Sequence, residues 1–186
     1  YIPSACDNTR GAGVVHPAGD DASNKLCKID GGRRYMTKGQ ADLKGTFACV
    51  AQVGSSGSNR VGEALAAAVY SNVNAPGSCN DGFLRDDALL MATLISNTYD
   101  TKSKGTTGSW AASAFAAKHD DPESIVLLNI GDTMVPGCHD ADRLCQLVKQ
   151  FPYALNTEIW ADDYGPFFEL ATDLVDVACE DFVPPG

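Results

Sequence analysis

No apolar run in this chain approaches the ~20 residues needed to span a bilayer, so insertion into a membrane is not expected. Positive charge is also short. Fourteen Lys and Arg stand against 24 Asp and Glu, a net charge of -10 that repels phosphate backbones and anionic lipid heads at long range. Nucleic acid is therefore set aside as a partner. Histidine is scarce, and His16, His119 and His139 each sit in a polar stretch beside Pro or Asp. The adjacent Cys138 and His139 suggest a thiol–imidazole pair, but sequence neighbours seldom face each other. The acidic pairs Asp20-Asp21, Asp86-Asp87, Asp120-Asp121 and Asp162-Asp163 likewise diverge rather than flank a bond as glycosidase carboxylates do. The turn GSSGS at residues 54–58 lacks the lysine of a phosphate-binding loop and does not match GxGxxG. These absences lead us to expect no enzyme.

Cysteine, by contrast, is plentiful: seven residues in a chain of 186, the size of one ordinary domain. No two form a CxxC pair and none is spaced with histidine as in a zinc finger, while Cys6, Cys27, Cys79 and Cys138 lie in loops rich in small polar residues. That usage predicts a disulfide-stapled protein of an oxidising compartment, secreted or at a cell surface. Local closure would pair Cys6 with Cys27, Cys49 with Cys79 and Cys138 with Cys145, each bridge contributing about 2–4 kcal/mol. The count is odd, which leaves Cys179 unpaired or joined to another chain. The chain opens with YIPSACDNTRG, which has neither the basic start nor the apolar core of an export signal.

The first 45 residues are irregular and rich in Gly, Asp, Asn and Lys, so a disulfide and some edge structure are expected to hold them against a core at residues 46–186. Residues 46–53 read as a strand or extended segment, and residues 60–72 as an Ala-rich helix. Residues 88–95, ALLMATLI, form the strongest strand signal, followed by a helix at 108–118 and a second apolar strand at 124–130. A helix at 140–150, a short strand at 155–160 and a final helix from Asp162 or Asp163 complete the reading. Strands that are apolar on both faces and alternate with helices predict a mostly parallel sheet covered on both sides. In such sheets ligands bind beyond the carboxyl ends of the strands, which draws attention to residues 96–100, SNTYD.

The segments GGRRYMT, FACVAQVGSSGS, GEALAAAV, NDGFLRDDALLMATLIS, ESIVLLNIGD and ADDYGPFFELATDLVDVACEDFVPP, in that order, resemble secreted bacterial von Willebrand factor A-like proteins. The resemblance spans most of the chain from Gly31 onward, and NDGFLRDDALL and DDYGPFF are its most specific parts. It implies a Rossmann-like α/β three-layer sandwich that binds a protein or glycan, in many cases through Mg²⁺ or Ca²⁺ held at the carboxyl end of the sheet. Of the three loops that supply oxygens in that family, the opening Asp-x-Ser-x-Ser loop has no counterpart here. The second corresponds to Ser55 or Ser56, and the third to Asn97, with Asp100 three residues on. A hard cation bound without the opening carboxylate would be held weakly.

The resemblance also implies that a central strand is missing. Either the polypeptide is the downstream piece of a longer one, which we favour, or another chain supplies the strand. Exposed aromatics offer a further contact surface, for which Trp160 and Tyr164 are the candidates. Three functions follow. The first expected is an adhesion or protein-binding module with a degenerate metal site. The second is a structural subunit of an extracellular assembly completed by a neighbouring subunit, and the third a hydrolase of unrecognised type.

Overall fold

A computed structural model describes residues 2–55, 57–132, 139 and 141–185. Among them, three strands form one parallel sheet: β1 (Leu90–Ser96), β2 (Ile125–Gly131) and β3 (Tyr153–Glu158), in the order β1-β2-β3. Leu90 aligns with Ile125 and Ser96 with Gly131, while Val126 aligns with Tyr153 and Gly131 with Glu158. All seven residues of β2 are buried. That is why its sequence, IVLLNIG, shows no alternation: both of its faces meet helices.

The two faces have separate cores. Leu94, Ile125 and Leu127 point toward α2 (Val61–Ala68), α4 (Thr107–Ala116) and α5 (Arg143–Val148), where Leu65, Trp110 and Leu147 close the packing. Val126, Leu128 and Ile130 point the other way, toward Phe167, Ala171 and Ala178 of α6 (Gly165–Asp181). α4 and α5 cover the same face because each connects consecutive parallel strands, and such crossovers share one hand. α2 approaches α4 so closely that a Cβ on Gly62 would lie 2.2 Å from the Trp110 ring, so this contact admits only glycine.

The fold class agrees with expectation at the level of an α/β protein with a parallel sheet, though the sheet is small. Most elements lie where periodicity placed them. Residues 46–53 do not: all but the last two belong to α1 (Leu43–Ala51), a helix whose start is capped by Asp42, which accepts from the Gly45 N–H. A short apolar run cannot distinguish strand from helix by pattern, and here the cap decided. The helix expected over 60–72 is split, with α3 (Ser71–Asn74) following α2 as a separate turn.

The N-terminal region carries no strand among its described residues, only short 3-10 turns at Ala5–Asn8 and Asp30–Gly32 and one isolated bridge between Ala22 and Val53. Its disulfides differ from local closure. Cys6 joins Cys79, 73 residues away, and Cys27 joins Cys49. Side chains beside the long bridge explain the choice. Asn80, next to Cys79, accepts from Gly13 N–H and donates to the Gly11 carbonyl, both at 2.9 Å. Arg34 then ties Asp7 to the Gly13 carbonyl, each at 2.7 Å. These contacts hold the N-terminus back against the segment after α3, where Cys79 lies. Cys145 is also disulfide-bonded. Its expected partner, Cys138, lies outside the described residues. Cys179 on α6 carries an exposed free thiol.

In the chain-entropy model, the bridge closing the longer loop restrains the unfolded chain more, by about 4 kcal/mol against about 3 for Cys27–Cys49. Replacing Cys6 and Cys79 together by serine is therefore expected to cost more stability than replacing Cys27 and Cys49. Chemical denaturation of the two double variants checks the order, and early proteolysis of residues 1–34 should accompany loss of the first bridge alone.

Candidate functional site

β1 delivers its last residue, Ser96, buried at the carboxyl end of the sheet. Ser96 Oγ accepts from Asn59 Nδ2 at 2.9 Å and donates to the Thr98 carbonyl at 2.7 Å, while Asn59 also reaches Thr98 Oγ1. Beyond it, Tyr99 stacks on His139 with ring centroids 6.4 Å apart. The chain then turns inward at Asp100, whose side chain has no solvent exposure.

Every interaction of the Asp100 carboxylate is with the protein itself. Oδ2 accepts from the Gly62 N–H at 2.8 Å and the Ser103 hydroxyl at 2.6 Å, and Oδ1 accepts from the Ser103 N–H at 2.9 Å. Ser103 Oγ accepts in turn from the Glu63 N–H at 3.0 Å. Gly62 and Glu63 lie in the first turn of α2, where N–H groups have no partner within the helix and the dipole favours negative charge. Arg60, the residue before α2, makes no side-chain cap. Asp100 and Ser103 supply it from 38 and 40 residues away in the sequence.

The same loop is gripped from the other side. Arg143 donates to the carbonyls of Ser103 at 3.0 Å and Gly105 at 2.5 Å, and its guanidinium lies 4.2 Å from the centroid of the Trp110 ring. Trp110 Nε1 donates to the Lys104 carbonyl at 2.9 Å. Residues 100–105 are therefore a rigid connector between β1 and α4. The side chains of Asp100 and Ser103 are engaged with each other and with backbone N–H groups of α2 and this loop, while Thr101, Lys102 and Lys104 are exposed.

The expected metal-site residues are not brought together. Asp100 would have to surrender three hydrogen bonds and a helix cap to hold a cation. Ser55 is exposed and donates to Asp21 Oδ2 at 2.9 Å, toward the N-terminal region. Asn97 is exposed at the tip beyond β1, and Ser56 lies outside the described residues. Among the described residues no group of three or more His, Cys, Asp or Glu is placed to hold a metal ion. The contact candidates also part company. Trp160 is 61% exposed and donates from Nε1 to Asp132, beside the end of β2. Tyr164 instead packs against the α6 core, and its hydroxyl is tied to the Ile159 carbonyl.

Two buried charges escaped the sequence reading. Lys118, 2% exposed, donates to the carbonyls of Arg85 at 2.7 Å and Ala88 at 2.8 Å, fixing the segment that feeds β1. Burial lowers its pKa, against the opposing pull of Asp86, Asp87 and Asp121. Asp142 caps α5, accepting from the Cys145 N–H at 3.0 Å, and burial raises its pKa, opposed by the backbone N–H groups it accepts from. Lys118 has no spacing signal, because its partners lie 30 residues and more away in the sequence, whereas Asp142 is a local helix cap whose burial comes from the surrounding fold. His119 pairs with Asp86 at 3.1 Å on the surface.

Asp100→Ala strips a buried helix cap and leaves Gly62 and Ser103 unpaired, at an expected cost on the order of 3 kcal/mol in urea denaturation. For Asp142 the folded chain binds the carboxyl proton more tightly than the unfolded chain, so its contribution to stability falls as pH rises from below its ordinary 3.8 through the raised value. Asp142→Asn keeps the acceptor without the charge. Its stability relative to the parent should rise with pH across that range; a flat difference from acid to neutral pH contradicts the burial of the charge.

No protein-family model, no curated protein and no solved structure matches this chain.

Proposed function

We propose that this chain is a secreted or cell-surface protein-binding module of von Willebrand factor A-like, three-layer architecture, and that it binds its partner without a complete metal site. The observation that carries the reading is the fate of Asp100: the carboxylate best placed to hold a cation caps α2 and orders the loop instead. Rigid loops at the carboxyl end of a parallel sheet, with exposed Asn97 and Trp160 alongside, suit recognition by shape and hydrogen bonding. The disulfides suit an extracellular setting.

A second reading, a structural subunit completed by a neighbouring chain, is favoured by a different observation. β1 pairs only with β2 among the described residues, and Met91 and Ile95 on it are 47% and 60% exposed.

Retention of the purified protein on arrays of extracellular-matrix proteins and glycans tests the first reading. Binding should survive EDTA and fall at least tenfold in Trp160→Ala or Asn97→Ala, both at exposed positions. Binding abolished by EDTA and restored by Mg²⁺ or Ca²⁺ overturns the metal-free reading. A defined oligomer by sedimentation, with no array binding, favours the subunit.

A further inference from the structure

The open side of β1 combines three features that point to one kind of occupant. The first is the backbone edge. Among the described residues, Leu90–Ser96 makes no backbone hydrogen bond except to β2, so its outer N–H and C=O groups remain available to a further strand. The second is the face beside that edge. Met91 and Ile95 align with Val126 and Ile130, which α6 covers; α6 lies over β2 and β3, and Met91, Thr93 and Ile95 stay exposed. Phe168, in the first turn of α6, is 47% exposed. The third is a groove of about 190 Å³ at the start of β1, lined by Phe83, Leu89, Leu90 and Met91 among others, with Arg85 its one charged member. An unblunted edge next to a strip of apolar side chains is the arrangement that pairs with another strand.

Charge selects the partner. α6 carries Glu169, Asp173, Asp176 and Glu180 and no Lys or Arg, its Asp181 being taken up by the Tyr153 hydroxyl of β3. Asp86 and Asp87 stand exposed just before β1, and Arg85 faces Asp87 at 3.8 Å. We propose that β1 is a docking edge for an extended segment of another protein, apolar at alternate positions and rich in Lys or Arg, which adds a fourth strand and seats one apolar side chain in the groove. Backbone pairing supplies the affinity, the groove fixes register, and basic side chains reach the acidic rim. A second copy of this chain is a poorer occupant, because two surfaces of net charge -10 repel each other. The proposal deepens the second reading above by naming the edge and the chemistry of what completes it, and is independent of Asn97 and Trp160.

The test uses the whole disulfide-bonded chain and a fluorescein-labelled peptide of alternating valine and lysine, with a valine–glutamate peptide as control. Fluorescence anisotropy should show saturable binding of the lysine peptide, weakened by added salt, and at least tenfold weaker binding of the glutamate peptide. Met91→Lys and Ile95→Lys, at exposed positions, should each lower affinity at least tenfold with an unchanged circular dichroism spectrum, while Trp160→Ala leaves it unaltered. Hydrogen exchange should slow at amides of residues 90–96 in the complex. No binding overturns the proposal. Binding without slowed exchange there also overturns it, as electrostatic adsorption alone, and so does a concentration-dependent dimer that protects residues 90–96 and excludes the peptide. Loss of peptide binding in Ile95→Lys with array binding intact separates this edge from the loop surface of the first reading.

Discussion

Everything in this fold is arranged around β2, a strand buried along its whole length. Seven residues with both faces and both edges covered can be built only when helices pack above and below and strands flank each side. The connections then follow from geometry. α4 and α5 return on one face because they join neighbouring parallel strands, and α6 is left for the other. Leu127 and Leu128, adjacent in sequence, belong to different cores for the same reason.

Among the described residues, a sheet of three strands gives β2 this shelter but leaves β1 with an exposed side. The consequences divide the molecule. On the α2 face, Leu94 and Ser96 are buried and the following loop is fixed by Asp100, Ser103 and Arg143. On the α6 face the same strand presents Met91 and Ile95 to solvent. One seven-residue strand thus leads into a hydrogen-bonded polar loop and presents an exposed apolar strip. The loop begins where the edge ends, at Ser96, whereas Trp160 stands beyond the end of β3 beside Asp132.

Asp100 shows how a residue can be located correctly and understood only with its neighbours. Its place after an apolar strand puts a charged group near the carboxyl end of the sheet, three residues past Asn97, and a metal role fits the resemblance. Its oxygens nevertheless serve the first turn of α2, because that helix begins with Arg60, Val61 and Gly62, none of which caps it, and because Gly62 must stay bare to admit Trp110. The requirement for a cap and the requirement for close packing meet at one turn: the Asp100 carboxylate supplies the first and the bare Gly62 the second. Ser55 and Asn97, left outside this network, point elsewhere.

Local pattern in the sequence was enough for the α/β class, for β1, β2, β3 and α6 to within a few residues, and for the oxidised character of the cysteines, because apolar periodicity and cysteine context are properties of neighbouring residues. It was not enough for α1, where a five-residue apolar run fits strand and helix alike and the Asp42 cap decides. Nor could it pair the cysteines: Cys6 reaches Cys79 because Asn80, Arg34 and Asp7 fold the N-terminus back. The roles of Asp100, Lys118 and Asp142, and the open edge of β1, were settled only by tertiary structure. For Asp100, Lys118 and the edge of β1 the deciding groups come from distant segments, and for Asp142, a local cap, only its burial does; sequence spacing carries no record of either.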